Sequence, residues 1–261
     1  MTAITSSQNP QIKHLAKLLS NSKYRREQKQ AVLEGTHLLV SWLNSGNTPE
    51  TVFIPQHRLN KPEIQALKHR LPEQICVITA DDALNKISSL SNADEITAII
   101  KLPEKHTPFT TGDCVVLDRV QDPGNMGTVL RSATAAGIKQ VILGKGCADA
   151  WSPKVLRAGM GAHFLLSICE RVDLNAWHAN YTHAIYATAL TGKNPQNLYH
   201  LDLRSPAAWL FGNEGSGVAT DLIECADSTV HIPMLGQTES LNIAMAATVC
   251  LFEQMRQRTH S

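Results

Sequence analysis

The sequence predicts an α/β protein of two domains, of which the second carries a mostly parallel β-sheet. Residues 113–261 alternate between short, almost entirely apolar segments and helix-like segments, a pattern typical of parallel sheets covered on both faces. Residues 103–112 contain two prolines and a glycine without hydrophobic periodicity, as expected of a connection between domains. A chain of 261 residues, 43% of them hydrophobic, is long enough to bury two cores. We therefore assign residues 1–105 to a small α/β domain, 106–112 to a linker and 113–261 to the parallel-sheet domain.

The first domain is predicted to begin with a helix at Asn9 and Pro10, since Asn is a favoured N-cap and Pro fits the first helical position. Ile12, Leu15 and Leu18 then form an apolar stripe at helical spacing. The strands predicted after it are Ala31–Glu34, Val52–Pro55, Ile75–Thr79 and Ile96–Leu102, and the helices are Thr36–Leu43, Glu63–Arg70 and Asp82–Ile87.

Basic residues are concentrated in the first 30 positions, where six of them stand against one acidic residue, Glu27. Such local density suits the phosphates of a nucleic acid, because each neutralised phosphate releases counterions. The alternative is a solvated helix face without a ligand. The candidate RNA-binding residues are Lys13, Lys17, Lys23, Arg25, Arg26 and Lys29.

The second domain is predicted to contain six strands and five helices. The strands are Cys114–Leu117, Gln140–Leu143, His163–Cys169, Ala184–Ala189, Ala208–Phe211 and Thr229–Pro233. The helices are Gly127–Ala136, Pro153–Ala158 with Ser152 as N-cap, Leu174–Tyr181, Asp221–Ala226 and Leu241–Arg256. Ligands of open parallel sheets bind beyond the carboxyl ends of the strands, so the loops that follow these strands are the candidate sites.

The first candidate loop follows the strand Cys114–Leu117 and contains a Pro-Gly turn at 123–124. Asn125 is predicted to cap the helix after it, and Arg131 to lie about one turn into that helix, facing the strand ends. An ordinary turn followed by a surface arginine is the alternative.

The second candidate loop, Gly212–Gly217, has three glycines in six residues directly after an apolar strand. Glycines in such a place indicate unusual φ/ψ values or a backbone packed close to a ligand, and they place Glu214 beside the same site. The context of strand, loop and helix favours a binding loop over a merely flexible turn.

The third candidate loop leads from the strand ending at Pro233 into the final helix. Ser240 is predicted as the N-cap of that helix, and capping alone would explain a serine there. Asn242 is a poor helix former in the predicted first turn, so it is the stronger candidate for a functional role.

Together, the three motifs resemble those of the SpoU/TrmH family of the SPOUT methyltransferases, in the same order, from about Cys114 to Arg256. The segments Ile4–Pro10 and Leu33–Gly35 resemble the substrate-binding domain of the ribosomal-RNA members of that family. One departure is Gly159, where the family often has a serine, and this affects how the loop around it packs.

The resemblance implies a C-terminal segment threaded into a deep trefoil knot, and a homodimer formed through this domain. It implies binding of S-adenosylmethionine at the positions Thr188, Ala189, Leu190, Gly212, Gly217, Ile232 and Leu241. It also implies a catalytic set that consists of Arg131, Asn125, Glu214, Ser240 and Asn242.

The reaction implied by the resemblance is transfer of a methyl group from a sulfonium to a ribose 2′-hydroxyl of RNA. This displacement requires alignment and loss of the hydroxyl proton, without a metal ion or a covalent enzyme intermediate. Arg131 acts either as the base or as a charged group that grips a neighbouring phosphate and stabilises the developing alkoxide. An arginine is almost never neutral near pH 7, which favours the second role. Large-subunit ribosomal RNA is expected as the substrate ahead of transfer RNA, with guanosine as the nucleotide.

Other classes of protein have weaker support. The six cysteines are scattered without CxxC spacing, so we expect a reduced cytoplasmic protein without a metal site. There is neither a GxxxxGK[ST] motif nor a run of about 18 apolar residues, and Gly144-Lys145-Gly146 is a weak match to a dinucleotide-binding turn. The alternative from another class is a non-catalytic RNA-binding or ribosome-assembly protein.

Overall fold

The computed structural model describes residues 3–80, 84, 96–190, 192–238 and 240–259. The chain divides into two compact units, one built from residues 1–104 together with 151–164, the other from 105–150 and 165–261. The segment 151–164 lies within the range that the sequence assigned to the second domain, yet its contacts group it with the first unit.

The first unit contains a four-stranded sheet in the order β1-β4-β2-β3, in which β2 and β3 are parallel and β4 runs antiparallel to β1 and β2. Its strands are β1 Gln30–Glu34, β2 Thr51–Pro55, β3 Cys76–Thr79 and β4 Thr97–Lys101, and its helices in this part of the chain are α1 Pro10–Ser20, α2 Ser22–Gln28, α3 Thr36–Asn44 and α4 Pro62–Lys68. The four predicted strands are confirmed, with ends shifted by one residue. The predicted helix Asp82–Ile87 lies outside the described residues, apart from Leu84.

The start of α1 is confirmed, since Asn9 Oδ1 accepts a hydrogen bond from the main-chain N–H of Gln11 at 2.8 Å and Pro10 is the first helical residue. The basic stretch that follows forms a second helix, α2, which the sequence analysis did not predict. The side chain of Asn21 caps α2 by accepting from the N–H of Tyr24.

The second unit contains a seven-stranded sheet in the order β7-β6-β5-β10-β8-β11-β9, and all of its pairings are parallel. The strands are β5 Cys114–Leu117, β6 Gln140–Gly144, β7 Ser167–Val172, β8 Ala184–Thr188, β9 Gln196–Asn197, β10 Ala207–Phe211 and β11 Ser228–His231. The helices of residues 113–261 are α5 Pro123–Ala135, α6 Pro153–Gly159, α7 Leu174–His178, α8 Thr220–Cys225 and α9 Ile243–Thr259, of which α6 belongs to the first unit. The predicted α/β class with a parallel sheet is confirmed.

Some predicted boundaries were wrong. The predicted strand His163–Cys169 begins only at Ser167, because residues 162–165 form a 3-10 turn. Helix α5 begins at Pro123, four residues earlier than predicted, and α9 begins at Ile243, two residues later than predicted. These two shifts change the residues that cap both helices.

The central strand β10 is completely buried and is attached to α9 by a polar contact. Trp209 Nε1 donates to Gln254 Oε1 at 2.8 Å, and Gln254 Nε2 donates to Asp113 Oδ1 at 3.0 Å. Each buried polar atom therefore has a partner, which avoids the cost of an unpaired group in the core. This contact fixes the position of α9 beside β5 and β10.

The segment 151–164 is attached to the rest of the first unit by an ion pair and by side-chain packing. Arg157 forms an ion pair with Glu34 of β1, whose side chain is 2% exposed. The rings of Trp42 and Phe164 meet edge to face, with centroids 5.0 Å apart. A Cβ at Gly161 would lie 2.9 Å from the side chain of Ser41, so only glycine permits this approach. Removing one partner of a buried ion pair leaves an uncompensated charge, so this contact holds the segment firmly.

Within the described part of the chain, none of the helices is long and apolar enough to cross a membrane.

Candidate active site at the carboxyl edge of the sheet

Four neighbouring strands, β5, β10, β8 and β11, deliver their loops to one edge of the sheet. Because these strands are parallel, their carboxyl ends lie on the same side. The loop after β5 leads to Asn125 in the first turn of α5, the loop after β10 carries Gly212–Gly217, and the loop after β11 leads to Asn242. The structure thus brings the three sequence motifs together, with the residues after β8 between them.

Glu214 fastens the loop after β10 to the turn after β5. Its Oε1 accepts hydrogen bonds from the main-chain N–H of Asp122 and from Asn125 Nδ2, both at 3.1 Å. Its Oε2 accepts from the main-chain N–H of Gln121 at 3.3 Å. Hydrogen bonds to an ionised acceptor are stronger than neutral ones, so one carboxylate binds two loops that are about 90 residues apart in sequence.

Asn125 extends this connection to the third motif. Asn242 Nδ2 donates to Asn125 Oδ1 at 2.9 Å, while Asn242 Oδ1 accepts from the main-chain N–H of Ala244 at 2.9 Å. Glu214, Asn125 and Asn242 therefore form a continuous chain of hydrogen bonds, which we call the site network. It links the ends of β5, β10 and β11.

The cap assignments from the sequence were wrong at both helices. Asp122 caps α5, because its Oδ1 accepts from the main-chain N–H of Asn125 at 2.7 Å. At α9 the residue that precedes the helix and accepts from its first turn is Asn242, so Ser240 is not the cap. Ser240 is exposed, and its side chain forms no hydrogen bond with any residue that the structure describes.

The charge of Glu214 is set by its surroundings. Partial burial raises the pKa of this carboxyl, but the hydrogen bonds donated by Asn125, Asp122 and Gln121 outweigh that effect and leave the pKa below its ordinary value of 4.5. Glu214 is consequently an anion at neutral pH whose lone pairs are already engaged. This arrangement suits a fixed acceptor and does not suit a group that shuttles protons.

The glycine-rich loop is a tight hairpin. The main chains of Asn213 and Gly217 exchange two hydrogen bonds, at 3.0 and 2.9 Å. A Cβ on Gly212 would lie 2.0 Å from the main-chain nitrogen of Val218. The sequence analysis explained the glycines of this loop by unusual φ/ψ values or by close approach of a ligand, whereas at Gly212 the main chain that returns in the same loop already requires a glycine.

The sequence analysis missed the role of Asn213. Its Oδ1 accepts from the main-chain N–H groups of Gly215 and Ser216, at 2.9 and 3.0 Å, and its Nδ2 donates to the carbonyl of Arg119 at 2.9 Å. Asparagine side chains commonly hydrogen-bond the main chain two residues further on, in an Asx turn, so an asparagine at the start of a glycine-rich loop could have indicated this role.

Arg131 lies further along α5 than predicted. It follows Pro123 by eight residues, which is more than two turns and about 12 Å along the helix axis. Its side chain is exposed and forms no hydrogen bond or ion pair with any described residue. The adjacent Ser132 contacts Thr248 of α9 through their hydroxyl groups at 2.7 Å. The structure therefore does not bring Arg131 into the site network.

The residues predicted to bind the cofactor lie at the ends of β8, β10 and β11. Thr188 Oγ1 donates to the carbonyl of Leu210 at 3.2 Å, and the N–H of Ala189 donates to the carbonyl of Val230 at 3.2 Å. Ile232 is half-buried, whereas the side chains of Leu190 and Leu241 are exposed. This edge of the sheet thus offers uncovered apolar side chains next to ordered main chain.

The candidate RNA-binding residues of the first unit do not all face solvent. Five of them are exposed, namely Lys13, Lys17, Lys23, Arg26 and Lys29. Arg25 is 4% exposed, and its guanidinium donates to the main-chain carbonyls of Leu18 and Leu19. The assignment of Arg25 to a phosphate contact was therefore wrong, since this side chain holds the end of α1 in place.

Within the residues that the structure covers, no three His, Cys, Asp or Glu side chains are grouped closely enough to hold a metal ion.

Two protein-family models match this chain, one in each of its two parts. Residues 113–252 match the SpoU rRNA Methylase family, and residues 9–98 match the MRM3-like substrate binding domain.

Two curated relatives are similar over nearly the whole chain. An uncharacterised tRNA/rRNA methyltransferase of Synechocystis is 34% identical over 99% of this chain and 95% of its own length. The 23S rRNA (guanosine(2553)-2′-O)-methyltransferase RlmP of Bacillus subtilis is 31% identical over 97% of this chain and 98% of its own length.

Solved structures are also similar to this chain over nearly its whole length. The crystal structure of an RNA 2′-O ribose methyltransferase has a TM-score of 0.82 and 31% identity, covering 99% of this chain and 100% of that chain. The AdoMet-bound rRNA methyltransferase of Sinorhizobium meliloti has a TM-score of 0.82 and 27% identity, covering 98% and 97%.

Replacing Glu214 with Gln should open the site network. The amide would present an N–H₂ group to main-chain donors, so we expect the N–H groups of Gln121 and Asp122 to exchange with solvent about tenfold faster. Hydrogen–deuterium exchange measures this directly. Glu224→Gln, the same change at an exposed position of α8, serves as the control.

The stability that Glu214 contributes should depend on pH. Because its pKa is lowered in the folded state, this stability is fully present above the ordinary carboxyl pKa of 4.5 and is lost as the pH falls through the folded-state value. Wild type and Glu214→Gln should therefore differ in free energy of unfolding at pH 7 and converge in acid. A difference that stays constant down to low pH would contradict this account.

Proposed function

This chain belongs to the SpoU rRNA methylase family, and we propose that it transfers a methyl group from S-adenosylmethionine to a ribose 2′-hydroxyl of ribosomal RNA. The observation that carries the proposal is the site network, which joins the motif loops at the carboxyl edge of a parallel sheet. The two alternative functions, a dinucleotide-binding enzyme and a non-catalytic RNA-binding protein, lack such support. Gly144 and Gly146 lie on β6 and in the turn after it, outside the network, and a purely RNA-binding protein has no need of a three-loop site.

Large-subunit ribosomal RNA is the proposed substrate, and guanosine the proposed nucleotide. The relative RlmP is named for 2′-O-methylation of a guanosine in 23S rRNA, and residues 9–98 match a substrate-binding domain. Transfer RNA is the second candidate, because the Synechocystis relative is named a tRNA/rRNA methyltransferase. The proposed location is the cytoplasm, because the two relatives that match nearly the whole chain are bacterial.

The residues at the carboxyl edge fit S-adenosylmethionine, which supplies an electrophilic methyl group when bound. Leu190 and Leu241 present exposed apolar side chains that suit the two faces of a flat heterocycle, and the half-buried Ile232 adds a third apolar side chain after β11. The resemblance also includes Thr188, Ala189, Gly212 and Gly217 in this site, and the N–H groups of Ala189 and Gly217 are held in place because they donate to the carbonyls of Val230 and Asn213. The structure of the related Sinorhizobium meliloti enzyme with AdoMet bound supports the same choice.

The protein contributes to the reaction by holding the three loops in position and by placing the charge of Arg131 near the RNA. Glu214, Asn125 and Asn242 keep the three loops in register, so that the ribose hydroxyl meets a preformed site. Arg131, an exposed guanidinium without a protein partner among the described residues, grips a phosphate next to the target ribose and stabilises the developing alkoxide. Ser240 lies near Asn242 with a hydroxyl that is free to contact the nucleotide.

We further propose that the active form is a homodimer in which α9 carries the interface. Met245 and Phe252 lie seven residues apart on one face of α9, and both are exposed apolar side chains. Thr248, one turn from each of them, contacts Ser132 beside Arg131. A partner subunit that covers this face would therefore lie next to Arg131.

The C-terminal trefoil knot is part of the same proposal. The chain leaves β11, which is separated from β5 by β10 and β8 in the sheet, and Asn242 then reaches Asn125 in the turn after β5. A C-terminal segment that returns past the ends of β8 and β10 in this way supports the proposed threading.

The function itself is tested in two steps. Calorimetry should detect binding of S-adenosylmethionine, and mapping of 2′-O-methylated nucleotides in cells with and without the protein should find one site that depends on it. Cofactor binding without any lost methylation would favour the non-catalytic alternative.

Arg131→Lys should lose most of the methyl transfer, by about a hundredfold, while binding of S-adenosylmethionine stays unchanged. Lysine keeps the charge but lacks the planar fork that grips a phosphate with two parallel hydrogen bonds. Single-turnover kinetics with an unmethylated RNA fragment that contains the mapped nucleotide measure the effect. A lysine variant with near-normal turnover would refute the fork argument.

Neutralising the exposed basic residues of the first unit should weaken RNA binding and leave cofactor binding intact. For the triple variant Lys13→Gln, Arg26→Gln, Lys29→Asn, the slope of log affinity against log salt should fall by about two. Titrations at several salt concentrations measure the slope. The control is a triple change to Gln at the exposed Lys61, Lys68 and Lys105, which should leave the slope nearly unchanged.

The dimer proposal is tested by Met245→Asp combined with Phe252→Asp. Charges on an apolar interface are not compensated after burial, so this variant should be a monomer where the wild type is a dimer, with methyl transfer reduced at least tenfold. Light scattering and a methylation assay provide the two measurements. Tyr199→Asp, a change at another exposed large side chain, is the control and should remain dimeric.

A further inference from the structure

Arg119, directly after β5, has a backbone conformation that arginine rarely adopts. Its φ is +54°, in the left-handed region where a side chain with a Cβ is disfavoured. Residues in such conformations persist only where surrounding contacts hold them, and they are frequent at functional sites. The contacts of Arg119 therefore indicate what this conformation achieves.

The guanidinium of Arg119 holds the carboxylate of the preceding residue. Nε donates to both oxygens of Asp118, at 3.1 and 3.2 Å, and one terminal nitrogen donates to Asp118 Oδ2 at 3.0 Å. The Asp118 side chain is 7% exposed, so its charge is compensated chiefly by this neighbour. Hydrogen bonding first, and the charge of Asp118 second, raise the pKa of Arg119, so its guanidinium stays charged at any working pH.

The same pair also grips the glycine-rich loop at the end away from Glu214. Asp118 Oδ2 accepts from the main-chain N–H of Ala219 at 2.9 Å. The carbonyl of Arg119 accepts from Asn213 Nδ2 at 2.9 Å, and its guanidinium makes a longer hydrogen bond of 3.4 Å to the carbonyl of Gly217. Both strands of the hairpin are thus attached to the residues that follow β5.

The turn after β6 provides space for this side chain. A Cβ on Gly146 would lie 3.2 Å from Arg119 Cγ, and a Cβ on Gly144 would lie 2.8 Å from Leu174 Cδ1. The weak dinucleotide-binding pattern at 144–146 is therefore explained by packing. Gly146 leaves room for Arg119, and Gly144 leaves room for Leu174.

We infer that Arg119 is a positioning residue for the cofactor loop. Through Asp118, Asn213 and Gly217 it keeps the hairpin 212–219 closed against β5, which holds the main chain of Gly212 and Gly217 where the proposed cofactor site needs it. The left-handed backbone lets its side chain turn back onto Asp118 while its carbonyl faces Asn213. This inference rests on the proposed binding of S-adenosylmethionine at this edge.

The test separates the guanidinium from the strained backbone. Arg119→Gly and Arg119→Asn both accept a positive φ, so both should fold while losing the contacts to Asp118 and Gly217. Arg171→Gly is the control, because Arg171 is an arginine with a similar positive φ, +59°, that is exposed near the end of β7. This substitution relieves the strain of a positive φ at a position that has no contact with the hairpin 212–219 among the hydrogen bonds described above.

Two readouts are expected to change together. In both Arg119 variants the N–H groups of Gly217 and Ala219 should exchange with solvent about tenfold faster, and the dissociation constant for S-adenosylmethionine should rise about tenfold, with RNA affinity unchanged. Arg171→Gly should match the wild type in both. Normal exchange rates in the Arg119 variants, or faster exchange with unchanged cofactor affinity, would overturn the inference.

The exchange measurement also distinguishes this inference from the proposed function. If the wild-type chain itself does not bind S-adenosylmethionine, the proposed function fails, and with it the role of Arg119 toward that cofactor. Faster exchange in the Arg119 variants would in that case still show that the hairpin depends on Arg119.

Discussion

The carboxylate of Glu214 is the contact on which the arrangement of the site depends. It lies in a loop after β10, yet its hydrogen bonds go to the turn after β5 and to Asn125. Since Asn125 in turn accepts from Asn242, the position of one side chain determines how three loops meet. Loops alone are the most mobile parts of most folds, and this network gives them the rigidity that a reacting centre requires.

The glycine-rich loop is held at both ends, by different chemistry at each. Glu214 accepts from main-chain and amide donors on one side, while Asp118 and Arg119 hold Ala219 and Gly217 on the other. Between these anchors Gly212 permits the return of the chain at a distance that no side chain would tolerate. The loop is therefore preorganised before any ligand binds, so less ordering entropy has to be lost on binding.

In the first unit, neighbouring residues of equal charge differ in burial because of how the chain packs. Arg25 and Arg26 are adjacent, but only Arg26 is exposed, because Arg25 lies in the direction of the carbonyls at the end of α1. In the same unit, Arg157 reaches Glu34 from a segment that follows β6 in the chain. Local sequence carries no sign of that pairing, since the two residues are far apart along the chain.

The sequence by itself determined the α/β class, the strand positions to within a few residues in most cases, and the convergence of the motif loops. Strand propensity and apolar runs are local properties, and parallel pairing then brings the carboxyl ends together without further information. Only the tertiary structure decided that Asp122 and Asn242 cap their helices, that Arg25 is internal and that Arg131 lies outside the site network. The two caps and the position of Arg131 follow from where α5 and α9 begin, and local patterns placed these starts four residues too late and two residues too early. The carbonyls that Arg25 contacts are only six and seven residues away, but the turn between α1 and α2 has to form before the guanidinium reaches them. The role of Arg119 also needs the tertiary structure, because its partners Asn213 and Gly217 come from the loop after β10, more than 90 residues away in sequence.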